Sequence, residues 1–99
     1  MDLKLNNKNI TIESKKSRGY SIKIDKARLC NVEQNGSLYK VTCRSKIYAD
    51  AFPISYKTSA GYIISRNYHL YTATLSKAQL EKWIDDIVEI GIDKRLDNR

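Results

Sequence analysis

The sequence predicts an α+β fold, a twisted antiparallel sheet of about five strands built from β-hairpins and followed by one C-terminal amphipathic helix packed on the sheet. Three observations predict it. β-Branched and aromatic residues alternate with polar residues from Ile10 to Leu75, the period of half-buried strands. Asn35-Gly36 lies between two such segments and is typical of a tight hairpin turn. Only residues 76–90 carry a helical period.

Length and composition predict one domain over residues 1–99. The 99 residues suffice for a single modest core, and we expect the polar ends, residues 1–9 and 92–99, to be flexible. The sequence has no apolar segment of signal-peptide or membrane-spanning length. These features predict a cytoplasmic protein that does not contact a membrane.

The first hairpin is centred on Asn35-Gly36, which sets the predicted register. Val32 then lies opposite Tyr39 on an apolar side, and the other side is polar. On that polar side the register places four cations and one tyrosine, namely Lys23, Lys40, Arg44, Lys46 and Tyr48. Lys26 and Arg28 interrupt the apolar side, which leaves open a β-bulge near Ala27 that would exchange the two faces beyond it.

A second hairpin and the helix complete the predicted fold. The segment ISYKTSAGYIIS predicts a turn near residues 59–61, and the segment RNYHLYTATL predicts the strand after it. Ser76 and Gln79 have the spacing of a capping box at the helix start. A buried stripe at helical spacing comprises Leu80, Trp83, Ile84, Ile87 and Val88. Gly91 is placed to cap the helix at its C-terminal end.

Charge is divided unevenly along the chain, whose formal net charge is +7. Residues 1–75 hold 13 Lys and Arg against 5 Asp and Glu, a net of +8, and residues 76–99 hold 5 against 6, a net of −1. Glu81, Asp85 and Glu89 form an acidic stripe on the helix that would repel phosphates. A polyanion should therefore contact the sheet face and its loops.

The candidate nucleic-acid-binding residues are cations of the sheet and of one loop, together with two tyrosines that could stack on bases. They are Lys15, Lys16, Arg18, Lys23, Lys40, Arg44, Lys46, Tyr48 and Tyr56. The cations would bind backbone phosphates without sequence preference. The alternative interpretation is a solvated strand face whose lysines protect a sheet edge from aggregation.

No motif in the sequence predicts catalysis, a metal site or a cofactor. His69, the single histidine, lies near Arg66, so a metal-independent ribonuclease is an alternative. Asp85 and Asp86 are adjacent on a helix and point in different directions, which argues against a shared metal. Cys30 and Cys43 lie diagonally in the predicted register, about 7–8 Å apart, too far for a disulfide, and we expect buried thiols.

The leading functional prediction is a non-enzymatic domain that binds single- or double-stranded nucleic acid through phosphates. The alternative is a small inhibitor or accessory protein of a virus or mobile element, which would dock on an acidic surface of a host nucleic-acid enzyme or defence system. An edge strand at residues 10–14 or 62–66 could also pair two copies of the chain into a homodimer.

Overall fold

A computed structural model describes residues 2–7, 9–15, 19–25 and 27–97, with the side chains of residues 63 and 91–97 not described. These residues form six strands and two helices. In chain order they are β1 (Ile10–Ser14), β2 (Tyr20–Ile24), β3 (Ala27–Asn35), β4 (Leu38–Cys43), α1 (Lys46–Asp50), β5 (Lys57–Ile63), β6 (Arg66–Ser76) and α2 (Lys77–Asp97).

The strands form one open antiparallel sheet in the order β1-β2-β3-β4-β6-β5. The predicted α+β architecture is confirmed. There are six strands instead of about five because residues 20–35 do not form one continuous strand. Asp25 takes a φ of 47°, a left-handed conformation that Asp tolerates better than most residues, and it turns the chain between β2 and β3.

The first hairpin turns one position later than predicted. Asn35 pairs with Leu38, so Gly36 and Ser37 form the loop. Gly36 has a φ of 62°, which suits a two-residue turn with glycine in its first position. Val32 consequently pairs with Val41 instead of Tyr39. The predicted register is wrong by two residues, but a shift of two keeps every side chain on its predicted face.

The second hairpin turns at Ile64 and Ser65, not near residues 59–61. Strand β5 runs straight through Gly61, which pairs with Tyr68 of β6. A Cβ atom on Gly61 would lie 2.5 Å from Cζ of Tyr68, so this glycine makes room for a ring that lies across the strand. Ser65, with a φ of 67°, takes the turn conformation instead.

The core lies between one face of the sheet and helix α2. Ile22, Val32, Val41 and Leu75 are fully buried on the sheet side. The predicted helix stripe is also buried, with Leu80, Trp83, Ile84, Ile87 and Val88 all at most 5% exposed. The stripe therefore packs on the sheet as predicted.

The two ends of α2 differ in how well they were predicted. The capping box is confirmed, because the Ser76 N–H donates to Gln79 Oε1 at 2.9 Å and the Gln79 N–H donates to Ser76 Oγ at 3.3 Å. The predicted cap at Gly91 is wrong, since the helix continues to Asp97. One interior glycine destabilises a helix by only about 1 kcal/mol. The helix-forming residues on either side of Gly91 offset this cost.

Two further segments close the helix side of the core. The indole N–H of Trp83 donates to the Tyr48 carbonyl oxygen at 2.9 Å, which ties α1 to α2, and Phe52 stacks on Trp83 with ring centroids 4.7 Å apart. At the N-terminus, Leu3 and Leu5 pack against the core. In the residues that the structure describes, neither helix is long and apolar enough to cross a bilayer.

Candidate nucleic-acid interface

Within the described part of the chain, no helix covers the face of the sheet opposite α2, and a groove of about 940 Å³ lies on this face. Side chains alternate between the two faces of a strand, so the residues between the core positions of β3, β4 and β6 point into this groove. Its polar and charged lining residues are Lys15, Lys23, Arg28, Asn31, Glu33, Lys40, Thr42, Arg44 and Tyr68. Four of the nine predicted site residues, Lys15, Lys23, Lys40 and Arg44, are among them.

A β-bulge brings one more cation into the groove. Ile22 pairs with Cys30 but the next residue, Lys23, pairs with Arg28, so Leu29 is the extra residue of β3. The bulge that the sequence left open near Ala27 is thus confirmed, two residues further along. Because it exchanges the faces beyond it, Arg28 points into the groove beside Lys23 instead of interrupting the apolar side.

The groove is strongly electropositive. Among the described residues, one carboxylate, that of Glu33, and five cations line it, so the net charge of this lining is +4; the cations are Lys15, Lys23, Arg28, Lys40 and Arg44. Low-dielectric walls around charges of one sign concentrate the potential within a cleft. The groove can therefore attract an anionic ligand more strongly than the net charge of +7, spread over the whole molecule, would.

The acidic stripe of α2 lies on the other side of the molecule, where it meets the N-terminal segment. Glu81 accepts a hydrogen bond from the Lys4 N–H, and Asp85 accepts one from the Asn6 N–H at 3.0 Å. The sheet separates these carboxylates from the groove. The acidic stripe and the groove thus lie on opposite faces of the sheet, although Glu33 lines the groove and Lys77 and Lys82 are cations of α2.

Arg44 is held in place by its neighbours. Its guanidinium carbon lies 4.7 Å from the centroid of the Tyr68 ring, within the range of a cation–π interaction. The Tyr68 ring itself lies against the backbone of Gly61. A guanidinium fixed in this way loses less side-chain entropy when it binds a phosphate than a free arginine does.

Within the described ranges, Lys23 is the groove cation that pairs with a carboxylate. Its Nζ lies 2.9 Å from Glu13 Oε2 on the neighbouring strand β1. The hydrogen bond from Lys23 and its charge hold the pKa of Glu13 below its usual value, so Glu13 is ionised at neutral pH. This exposed pair reduces the charge that Lys23 offers to a ligand.

Three of the predicted site residues do not line the groove. Lys46 and Tyr48 lie in helix α1 instead of a strand, because Ser45 caps that helix by accepting from the Tyr48 N–H. Lys46 pairs with Asp50 at 3.0 Å, and Tyr48 packs against the core. Tyr56 packs edge-on against Tyr71 and donates its hydroxyl hydrogen to Asp50 at 2.8 Å. Lys16 and Arg18 lie outside the described residues.

Arg28 and Tyr68 line the groove but were not among the residues predicted from the sequence. Arg28 was assigned to the apolar side, and the signal for its true position was the bulge that the interrupting cations indicated. Nothing in the sequence pattern singled out Tyr68 as a candidate. Its pairing with Gly61 could not be foreseen while that glycine was assigned to a turn.

The ribonuclease alternative gains no geometric support. His69 and Arg66 lie three residues apart on β6, so their side chains point to opposite faces of the strand. Tyr68 lines the groove and has the same parity as Arg66, which places His69 on the far side. Among the described residues, no group of three or more His, Cys, Asp or Glu side chains could hold a metal ion.

The two cysteines are buried free thiols, as predicted, but their predicted diagonal placement is wrong. Asn31 pairs with Thr42, so the next position of the same register sets Cys30 opposite Cys43. Burial raises the pKa of both thiols, that of Cys43 to about 11. Neither thiol is a thiolate near neutral pH, and the nucleophilic form is therefore scarce.

Comparisons of the chain with protein-family models, with curated proteins and with solved structures found no match. The fold and the groove are therefore the grounds for a functional proposal.

Proposed function

We propose that this chain is a non-enzymatic nucleic-acid-binding domain that holds backbone phosphates in its groove. The proposal rests on one observation: of the residues that the structure describes, five cations and one carboxylate line the open face of the sheet. The acidic stripe of α2 lies on the opposite face, so a polyanion approaching the groove meets little repulsion.

Binding in the groove follows from electrostatics. Lysine and arginine side chains that neutralise phosphates release condensed counterions, which makes the affinity fall steeply as salt rises. Arg44, steadied by Tyr68, can donate two hydrogen bonds to one phosphate, while lysines act as point charges. Contacts of this kind position a nucleic-acid strand without reading its sequence.

The test is fluorescence anisotropy of a labelled oligonucleotide at several salt concentrations. The double variant Lys40→Gln/Arg44→Gln removes two groove cations. We expect it to lower the slope of log affinity against log salt by about 1.4–1.8 and the affinity by about 25- to 60-fold at 0.1 M salt. The matched control, Lys77→Gln/Lys82→Gln, removes two exposed cations of α2.

The control should bind almost as tightly as the unaltered protein. If the unaltered protein binds no DNA or RNA at low ionic strength, or if both double variants weaken binding equally, the proposal is wrong. Circular dichroism of each variant before the titration confirms that it is folded, since all four substituted side chains are exposed.

A protein-binding module is the second candidate, and the tip of the second hairpin favours it. Strand β6 pairs with β4 only from Tyr71 onward, so residues 59–70 form a two-stranded arm. At its end Tyr62 is 80% exposed and Ile64 is 95% exposed. Large apolar side chains presented on a projecting arm are typical of anchors that insert into a partner's pocket.

A nuclease-treated pull-down tests this second candidate with two variants. The tip variant Tyr62→Ser/Ile64→Ser should lose one stoichiometric protein partner that the groove variant Lys40→Gln/Arg44→Gln retains. A partner retained by the tip variant, or recovery of nucleic acid alone before nuclease treatment, would argue against protein binding through the arm.

A further inference from the structure

A row of uncharged polar side chains crosses the sheet from strand to strand on the face that bears the groove, and two of its members, Asn31 and Thr42, line the groove. Ser21 pairs with Asn31, Asn31 pairs with Thr42 and Thr42 pairs with Thr72, so the four residues lie side by side on β2, β3, β4 and β6. We call them the polar row. With neighbouring strands about 4.8 Å apart, the polar row spans about 14 Å.

A second row, made of cations, runs parallel to the polar row. Lys23 pairs with Arg28, and Arg44 lies two residues beyond Thr42, immediately after the end of β4, so these three side chains continue across the same part of the sheet. Residues i and i+2 of a strand are about 7 Å apart on the same face. That distance is comparable with the reach from a nucleotide's phosphate to its own ribose hydroxyl.

The polar row has unused hydrogen-bonding capacity. Ser21 is fully buried, and neither its Oγ nor Asn31 Oδ1 has a hydrogen-bond partner among the described residues. Buried polar atoms without partners are costly, and a half-turn of the Asn31 carboxamide would exchange its oxygen with its nitrogen. Thr42 and Thr72 share one hydrogen bond at 3.4 Å between their hydroxyls, which leaves one hydroxyl hydrogen free to donate.

The groove offers little for stacking bases. Among its lining residues in the described part of the chain, Tyr68 is the one aromatic side chain, and its ring is occupied by Arg44 and Gly61. Non-specific single-strand binders rely on free aromatic platforms. Here the floor consists of charge and hydrogen-bonding groups, which suits the sugar-phosphate backbone better than the bases.

We propose that the groove distinguishes RNA from DNA, with the cation row on the phosphates and the polar row on the ribose 2′-hydroxyls. This inference rests on the proposed nucleic-acid binding and adds the class of ligand. A 2′-hydroxyl both donates and accepts hydrogen bonds, and deoxyribose lacks it. The backbone runs across the strands, with its ribose edge towards Asn31, Thr42 and Thr72, while the fully buried Ser21 does not contact it.

The test compares one base sequence as RNA, as DNA with uracil and as 2′-O-methyl RNA, each single-stranded and as a duplex. The unaltered protein should bind the better RNA form at least about fivefold more tightly than the matched DNA, the scale of one or two net hydrogen bonds. The 2′-O-methyl RNA, which has no 2′ donor, should bind like DNA. The single-stranded and duplex arms identify which form of the ribose backbone the groove accepts.

The variant Thr42→Val/Thr72→Val removes two hydroxyls and keeps side-chain shape and β-branching. We expect it to bind RNA no better than DNA, because the hydroxyls that would contact the ribose are absent. The control Thr58→Val alters an exposed threonine of β5 that pairs with Tyr71, away from the groove face, and should keep the preference for RNA.

The two levels of the proposal fail in different ways. Equal affinity for RNA and DNA, or a preference for RNA that survives in Thr42→Val/Thr72→Val, overturns the inference and leaves nucleic-acid binding intact. If no oligonucleotide binds the unaltered protein at low salt, the proposed function is overturned as well.

Discussion

The same strands build both faces of the sheet, but one face is apolar and buried while the other is polar and exposed. On β3 and β4, Val32 and Val41 are fully buried beneath α2, while Glu33 and Lys40, one residue along on each strand, are exposed on the groove side. One face is closed by a helix and the other is open and basic. The alternation of side chains separates the residues that stabilise the fold from those that can bind a ligand.

The largest expected effect is on the closed face. Trp83 is 1% exposed, stacks on Phe52 and donates to the Tyr48 carbonyl. We expect Trp83→Ala to lower the free energy of unfolding by about 3–5 kcal/mol. Urea denaturation followed by circular dichroism measures the change, because the variant has no tryptophan fluorescence.

The matching change on the open face is Lys40→Gln, whose side chain is exposed. It should alter the free energy of unfolding by no more than about 0.5 kcal/mol. A groove substitution that destabilised the protein as much as Trp83→Ala would break the separation between the faces.

The start of α2 should show the next largest effect. Ser76 and Gln79 exchange two hydrogen bonds, so Ser76→Ala leaves the Gln79 N–H without its capping partner. We expect a loss of about 1 kcal/mol, within a range of about 0.5–2 kcal/mol, by urea denaturation. Ser37→Ala, in the exposed turn of the first hairpin, serves as the control and should change stability by less than the capping variant does.

The buried thiols predict a loss of stability in alkali. Folding raises the pKa of Cys43 from 9.0 to about 11, so the unfolded chain loses this proton first as pH rises. The contribution of this thiol to the free energy of unfolding is fully present below about pH 9 and is lost between about pH 9 and 11. In a series of urea denaturations, Cys43→Ala should lose less stability over that interval than the unaltered protein does. Equal losses would show that the thiol is not responsible.

On the open face, we expect substitution of Tyr68 to have a smaller effect, which concerns ligand affinity and not stability. Tyr68→Leu keeps an apolar side chain over Gly61 but removes the ring on which Arg44 rests. Exposed cation–π contacts are weak, so we expect oligonucleotide affinity to fall about two- to fivefold in anisotropy titrations. In the Tyr68→Leu variant, a further Arg44→Gln change should lower the oligonucleotide affinity by a smaller factor than it does in the unaltered protein.

The smallest expected effect is a gain in oligonucleotide affinity. Glu13 pairs with Lys23 at 2.9 Å, and Glu13→Gln removes the carboxylate that competes with a phosphate. We expect oligonucleotide affinity to rise about two- to fivefold, in keeping with the modest strength of exposed ion pairs. Asp86→Gln is the control, because it releases Lys82 on the helix side and should leave affinity almost unchanged.

The closed face was predictable because apolar periodicity determines it. The stripe of α2 and the apolar positions of β3 and β4 follow from the sequence pattern, and their assignment survived a register error of two residues. The capping box was equally predictable, because its two residues are close in sequence. Gly91 was predicted to cap the helix and Gly61 to lie in a turn, and both predictions were wrong for the same reason. A glycine can occur in a turn, at a helix cap or at a position where a side chain would clash.

The open face was only partly predictable because polar side chains have no periodicity requirement of their own. Lys23, Lys40 and Arg44 were assigned correctly as long as the hairpin ran regularly. Arg28 depended on a bulge, and Lys46 and Tyr48 depended on where β4 ends. The sequence pattern continues smoothly past Cys43, but the capping of α1 by Ser45 ends the strand there.

The most direct test of the account is an amide chemical-shift titration of the labelled protein with an oligonucleotide at low salt. The largest changes should fall on the groove residues Lys23, Arg28, Lys40 and Arg44, while residues 80–90 of α2 should change little. Changes centred on α2 or on the arm tip, or none at any residue, would contradict it.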